Sequence, residues 1–331
     1  MKRFSIIALI LVLVSCGSNS EEVNESSNST VSSTILESSE TTINSNDSTT
    51  TTVNDVFKYE FDVEKMSPFT GLELSPEVWF KRPRRAIAFK IDNNLNARPQ
   101  SGLQEADAVF EVLVEGGMTR FLAFFLDKSS AYLGPIRSAR PTDPTVLRPL
   151  DGVLVASGAT GGLIPEIIDM GVPVITDRRP EFFRISSRSA PHNLYADTYK
   201  LKNLAISKGY KKTNNPQPLF PWGNPNINSW ANGKSIKLKF SSATTTTWTW
   251  NGSNYVRTYY DAYKGSSSGN PHNWINENGS SGQIAVPTVI ALMCEPYMHP
   301  LQLPSVKTVG EGRAIIMHGG KMLDAKWKRG S

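Results

Sequence analysis

Asp107-Ala-Val-Phe-Glu-Val-Leu-Val-Glu-Gly-Gly-Met-Thr-Arg-Phe-Leu-Ala-Phe-Phe-Leu126 is the most legible stretch of the chain. Two apolar runs rich in Val and Phe flank Gly116-Gly117. A Gly-Gly pair in that setting predicts a two-residue hairpin turn, because both turn positions need positive φ. Register follows from the turn: residue 115 faces 118 and 113 faces 120, so Glu111, Leu113 and Glu115 share a face with Met118, Arg120 and Leu122. Two acids and one arginine inside an apolar ribbon predict partial burial with the charges paired. The competing reading is a solvated outer face.

Around this hairpin the pattern alternates between strands and helices. Ala86 to Asp92 (AIAFKID) reads as a half-buried strand, with Ile87, Phe89 and Ile91 on one face and Lys90 and Asp92 on the other. Gly152 to Ser157 reads as a buried strand, followed by the loop Gly158 to Gly162 and a short helix through Met170; Val172 to Thr176 resumes strand. Asp197 is placed to cap a helix running to Lys208, with Gly209 as terminator. These elements predict an α/β or α+β domain with a mixed sheet over residues 63–213. A Pro- and Asn-rich linker is expected over 214–233, then a smaller β-rich domain over 234–331. There, residues 236–240, 244–250, 255–260, 284–294, 313–318 and 322–328 carry β-formers, with turn signals at Asn251-Gly252 and Gly319-Gly320. The last strand has little flank before Ser331, which suggests a shortened second domain.

The N-terminus reads as an export signal over residues 1–15. Lys2 and Arg3 precede an apolar run from Phe4 to Val14, interrupted only by Ser5 and too short to span a bilayer comfortably as a helix. Leu13-Val14-Ser15-Cys16-Gly17 resembles a bacterial lipobox, which would make Cys16 the lipidated mature terminus and a stable acyl anchor at the extracytoplasmic face of the cell membrane. Residues 17–55 hold 19 Ser or Thr, six Asn and no Pro or aromatic residue, so residues 16–62 read as a disordered tether. A flexible chain of that length spans on the order of 35–40 Å.

Charge is unevenly distributed. The 331 residues carry 35 Lys+Arg against 30 Asp+Glu, yet nine acids and one lysine give residues 17–62 a net charge of −8. With Lys2 and Arg3 set apart, residues 63–331 therefore hold +11 of the overall +5. A basic domain outside the membrane suits an anionic wall polymer, phospholipid headgroups or an acidic envelope protein, and the compartment argues against nucleic acid. Two cysteines build no disulfide framework, and histidines at 192, 272, 299 and 318 lack paired ligand spacing, so neither a metal site nor a cofactor is expected.

Six motifs occur in order: Ile91-Asp92-Asn93, Ala97 to Leu103 (ARPQSGL), Ala106-Asp107, Val114 to Phe121 (VEGGMTRF), Gly134 to Arg140 (GPIRSAR) and Ala190 to Tyr195 (APHNLY). This chain resembles the YerB-like bacterial lipoproteins, which carry paired N- and C-terminal domains of unknown function. The resemblance covers roughly residues 66–328 and is weaker in the second half, where Gly310 to Ala314 (GEGRA) is similar to the family's late strand entry. It implies a fold and a location, and brings no established reaction.

Candidate chemistry is mostly cationic. Arg98, Arg120, Arg137, Arg140, Arg184 and Arg188 lie in or beside loops and hairpin ends, together with Asp92, Asn93, His192 and Asn193. Arginine presents a rigid fork to carboxylate or phosphate, so such a cluster could grip a wall glycan or phosphate polymer; the bland alternative is that the arginines pin loops and pair with Glu111 and Glu115. Glu111 and Glu115 make a poor glycosidase pair, being four strand residues or roughly 13 Å apart at Cα, against about 5–9.5 Å between the carboxyls of such pairs. Ser186, Ser187 and Ser189 precede His192, but no G-x-S-x-G elbow is present. Cys294 reads as a buried small hydrophobe. Gly158 to Gly162 lacks the lysine of a P-loop. The reading that results is a membrane-anchored lipoprotein binding an anionic envelope ligand, leaning away from enzyme. An extracellular hydrolase and an adaptor for an envelope enzyme are the alternatives.

Overall fold

The computed structural model of the chain describes residues 9–15, 62, 65–76, 85–210, 218–223, 225–261 and 269–330. The tether up to residue 61 and residues 214–217 and 224 of the linker lie outside these residues. The first half contains β1 (Leu9–Ser15), β2 (Ile87–Asp92), β3 (Ala108–Leu113), β4 (Thr119–Phe125), β5 (Val153–Ala156), β6 (Val174–Thr176), β7 (Phe182–Arg184) and β8 (Leu194–Ala196). Its helices are α1 (Thr142–Leu147), α2 (Leu163–Asp169) and α3 (Thr198–Ser207). Asp197 caps α3 by accepting from the N–H groups of Tyr199 and Lys200. The second half is antiparallel and strand-rich: β9 (Ala231–Asn232), β10 (Ser235–Lys239), β11 (Thr244–Trp250), β12 (Tyr255–Asp261), β13 (Asn270–Pro271), β14 (Asn273–Ile275), β15 (Ser281–Gln283), β16 (Ala285–Val286), β17 (Thr288–Cys294), β18 (Pro296–His299), β19 (Leu303–Val306), β20 (Gly310–His318) and β21 (Lys321–Arg329).

One mixed sheet runs through both halves in the order β6-β5-β2-β4-β3-β1-β17-β20-β21-β9. Apolar side chains cover both of its faces, which is why its central strands are apolar throughout. On one face Phe89, Phe121, Phe125 and Val155 join Leu201 of α3 and Ile236, Trp248 and Tyr255 of the second sheet. On the other Phe110, Leu122, Phe124 and Leu154 pack with Leu147 of α1, Ile167 of α2 and Leu303 of β19. Cys294 belongs to this second layer, where burial pushes its thiol up to about 12.

Two expectations need correction. First, β2 is not half-buried: Lys90 and Asp92 are as enclosed as Phe89, because α1 and the 135–140 segment cover the face expected to meet solvent. Second, Gly116-Gly117 does not form a two-residue turn. Glu115–Gly117 makes a one-turn 3₁₀ connection, with φ of 67° and 68° at the two glycines, and Val114 pairs with Met118. The register therefore shifts by one residue, so that Glu111 opposes Phe121 and Val112 opposes Arg120. In a strand a one-residue slip exchanges faces, so Glu111 and Arg120 lie on opposite sides of the sheet. The cause is tertiary: the carbonyl of Gly117 accepts hydrogen bonds from Ser241 Oγ at 2.6 Å and Thr244 Oγ1 at 2.7 Å, both in the second half. Gly319-Gly320 forms the expected two-residue turn, with φ of 58° and 75° and His318 opposite Lys321, while the Gly320 carbonyl accepts from the Gly233 N–H at 3.0 Å.

The apolar run read as the core of an export signal is strand β1. It is parallel to β3 on one side and to β17 on the other, and so joins the sheets of the two halves.

Candidate functional site

The hairpin's slipped register divides the predicted cluster into two sites on opposite faces of the sheet. The first gathers at the carboxyl ends of the parallel strands β2 and β5, the usual place for ligands in α/β sheets. Asp92 closes β2 opposite Arg120 of β4. The segment Pro135–Arg137 is bonded alongside the end of β2, Asp92 N–H to the Pro135 carbonyl and Arg137 N–H to the Lys90 carbonyl, which sets the Arg137 side chain against Asp92. Asp92 Oδ2 then accepts from two groups at once, Arg137 Nε at 3.1 Å and His192 Nδ1 at 2.7 Å. The loop bearing His192 is clamped from within. Asn193 donates to the carbonyls of Ile185 and Arg188 and accepts from Arg184, while Arg188 donates to the Ala97 and Pro99 carbonyls and to the Tyr195 hydroxyl.

Behind this pair lies a buried lattice of charge. Lys90 Nζ bonds Asp143 Oδ1 at 2.6 Å with both side chains fully enclosed, and burial lowers the lysine pKa against the opposing pull of Asp143. Arg140 Nε bonds Glu115 Oε2 at 2.6 Å, and its NH1 reaches the Ser138 and Ala139 carbonyls. Arg120 NH1 bonds the Ser138 carbonyl at 2.8 Å, and its NH2 lies 3.5 Å from Glu115 Oε1. Burial lowers the Arg120 pKa to about 10, which leaves it cationic at neutral pH. Arg120 and Arg140 are thus spent on carbonyls and Glu115. The outward-facing members are Glu115, Arg137 and His192, and among the described residues the NH1 and NH2 groups of Arg137 make no hydrogen bond.

The second site lies on the other face, between the two halves. Glu111 Oε1 accepts from Thr119 Oγ1 at 2.7 Å, from Arg257 NH2 at 2.7 Å and from Asn93 Nδ2 at 3.3 Å. The side chains of Glu111 and Arg257 are completely buried. Arg257 also bonds His272 Nδ1, and His272 Nε2 meets Gln100 Oε1 at 2.6 Å. An amide oxygen only accepts, so the ring carries its proton on Nε2 and takes the Arg257 N–H at Nδ1. Burial, then Arg257 and Arg98, hold the His272 pKa well below its usual value, so the ring is neutral. Arg98 donates to Asn93 Oδ1 and to its carbonyl, and lies 4.0 Å over the Tyr259 ring. A small cavity of about 10 Å³ lined by Gln104, Phe121, Arg257 and Val286 abuts this network; Arg120, Arg137 and Arg140 do not line it.

Asp92, Arg137, Arg140, Arg120, Glu115 and His192 are therefore brought together, while Asn93, Arg98 and Glu111 belong to the interface behind them. Arg188 and Asn193 act on the His192 loop. Lys90, Asp143, Gln100, Arg257 and His272 were missed. Arg257 alone left a trace in the sequence, as a charge between Tyr255 and Tyr259 on one face of an alternating strand. Among the described residues no group of His, Cys, Asp and Glu is arranged to hold a metal ion.

Residues 69–211 match the N-terminal domain, and residues 236–331 the C-terminal domain, of a protein of unknown function, DUF3048. Over 156 residues the chain is 35% identical to YerB of Bacillus subtilis (strain 168), described as a candidate lipoprotein; the alignment covers 46% of each chain, about half the length of that relative. The crystal structure of YerB from Bacillus subtilis matches with a TM-score of 0.65 over 80% of this chain and 87% of that one, at 24% identity, a likeness of fold. Two matched domains in the right order, carried on a shared fold, make this chain a member of the YerB-like family of paired DUF3048 domains.

Proposed function

We propose that the protein is a lipid-anchored extracytoplasmic lipoprotein that grips an anionic group of an envelope polymer, a wall glycan or polyol phosphate, between Arg137 and His192. The location rests on the lipobox-like run ending at Cys16 and on the lipoprotein description of the relative. The binding reading rests on one observation: a single carboxylate, Asp92 Oδ2, holds Arg137 and His192 side by side. The guanidinium is fixed through Nε, which leaves its terminal N–H fork for a phosphate or carboxylate, and the ring is fixed through Nδ1, which leaves Nε2 for the same anion. Behind the pair, Lys90, Arg120 and Arg140 outnumber their partners Asp143 and Glu115 by one positive charge. Among the described residues no serine hydroxyl bonds the His192 ring, which favours binding over hydrolysis.

The test is titration of the purified protein with a polyol-phosphate polymer at several salt concentrations. Arg137→Ala and His192→Ala should each weaken binding roughly 10- to 100-fold, the scale of one or two charge-assisted hydrogen bonds, measured at a temperature where each variant is folded. Binding that is equal in Arg137→Ala and the unaltered protein would refute the site.

A further inference from the structure

We propose that the position held by β1 is a binding slot for an extended apolar segment of another exported polypeptide, opened when the leader is removed at Cys16. The inference rests on the lipoprotein reading for the removal of residues 1–15. Its geometry rests on the sheet.

β1 hydrogen-bonds on both sides, with Leu9 to Leu13 in register with Ala108 to Val112 of β3, and Leu9 to Ser15 in register with Thr288 to Cys294 of β17. Neighbouring strands lie about 4.8 Å apart, so β3 and β17 stand about 9.6 Å apart with room for one backbone. The spacing does not depend on β1. The two halves are tied directly by Glu111 to Arg257 at 2.7 Å, Gln100 to His272 at 2.6 Å, Thr142 to Ser305 at 2.7 Å and Glu166 to His299 at 2.9 Å. Loss of residues 1–15 therefore leaves two facing rows of unpaired backbone N–H and C=O groups, between the apolar layers that cover the sheet.

The shape of the slot selects its occupant. A second copy of the folded chain cannot enter, because pairing on both sides demands a strand with both edges free. A segment covered on both faces is apolar along its length, as residues 9–14 (LILVLV) of β1 are. The tether does not qualify: between residues 17 and 62 no more than two apolar residues are consecutive. What fits is an uncharged, proline-free run of about five to seven apolar residues running parallel to β3 and β17, as offered by an exported chain not yet folded.

The probe is a fluorescent peptide with the sequence of residues 9–15 flanked by two lysines at each end, read by anisotropy. The chain beginning at Cys16 should bind it at least tenfold more tightly than the chain beginning at Met1, whose slot is filled from within. Replacing the residue equivalent to Val12 by proline in the peptide should abolish binding, since proline lacks the N–H and cannot sit in a central strand. Leu11→Pro in the full-length chain, which evicts β1 without shortening the protein, should gain binding. The proposal is overturned if the chain from Cys16 does not fold, if both chains bind equally, or if the proline peptide binds as well as the parent. The mass of the N-terminus on protein extracted from membranes tests the lipoprotein reading separately: residues 1–15 still present would refute processing, whatever the peptide does.

Discussion

Arg257→Ala isolates what holds the two halves together. Arg257 and Glu111 are 2.7 Å apart with no solvent exposure on either side chain, and they come from different halves of the chain. Truncation leaves Glu111 with Thr119 and Asn93 as partners, and its second oxygen already lacks one. It also removes a guanidinium packed 5.4 Å from the Phe121 ring and 5.8 Å from that of Trp248. A carboxylate stranded in this way costs about 3–5 kcal/mol, roughly 6–20 °C in melting temperature at the 2–4 °C per kcal/mol typical of a protein of this size. Urea unfolding followed by tryptophan fluorescence would read the change, since Trp248 is buried beside the pair. The double variant Glu111→Leu with Arg257→Met, which removes both charges, should lose less than the two single changes combined. A loss below about 1 kcal/mol for Arg257→Ala, the scale of an exposed pair, would refute the claim that this ion pair is the buried tie.

Lys90→Met should cost a similar 3–5 kcal/mol, because among the described residues Asp143 would keep one hydrogen bond, from the Arg140 N–H at 2.7 Å; equilibrium unfolding checks it. His272 is held neutral with its pKa depressed from 6.5, so below pH 6.5 the unfolded chain takes up a proton that the folded chain refuses. Stability is accordingly full above that pH and falls as pH drops through it, with His318 contributing in the same direction; His272→Gln should flatten the stability slope between pH 6 and 5 by up to about 1.4 kcal/mol per pH unit. Cys16→Ser should release protein from the membrane into the medium, as fractionation and immunoblotting would detect.

Local chemistry was readable where local chemistry decides. The Asp197 cap, the Gly209 stop, the Gly319-Gly320 turn and the β-rich second half all follow from propensity and turn demands met within a few residues. The Gly116-Gly117 turn failed because its geometry is set by Ser241 and Thr244, more than a hundred residues away. That failure carried Glu111 and Arg120 onto one face, when a one-residue slip separates them. Lys90 looked exposed for a related reason: alternation reports which residues share a face, not what covers it. Asp92, Arg137, Arg140 and His192 lie in short polar loops that the sequence advertises, and the convergence of Arg137 and His192 on the Asp92 carboxylate came only with the fold.

The tie between Glu111 and Arg257 also bears on what happens when the chain is cut. A break in the segment joining the halves would give two fragments, each keeping one ion of a pair whose counter-ion lies on the other. Made separately, each fragment would expose a sheet edge beside an uncompensated charge and would be prone to aggregate. Made together, they would recombine by the same electrostatic match, so the protein lends itself to split-fragment complementation, with reassembly as a direct report of the interface.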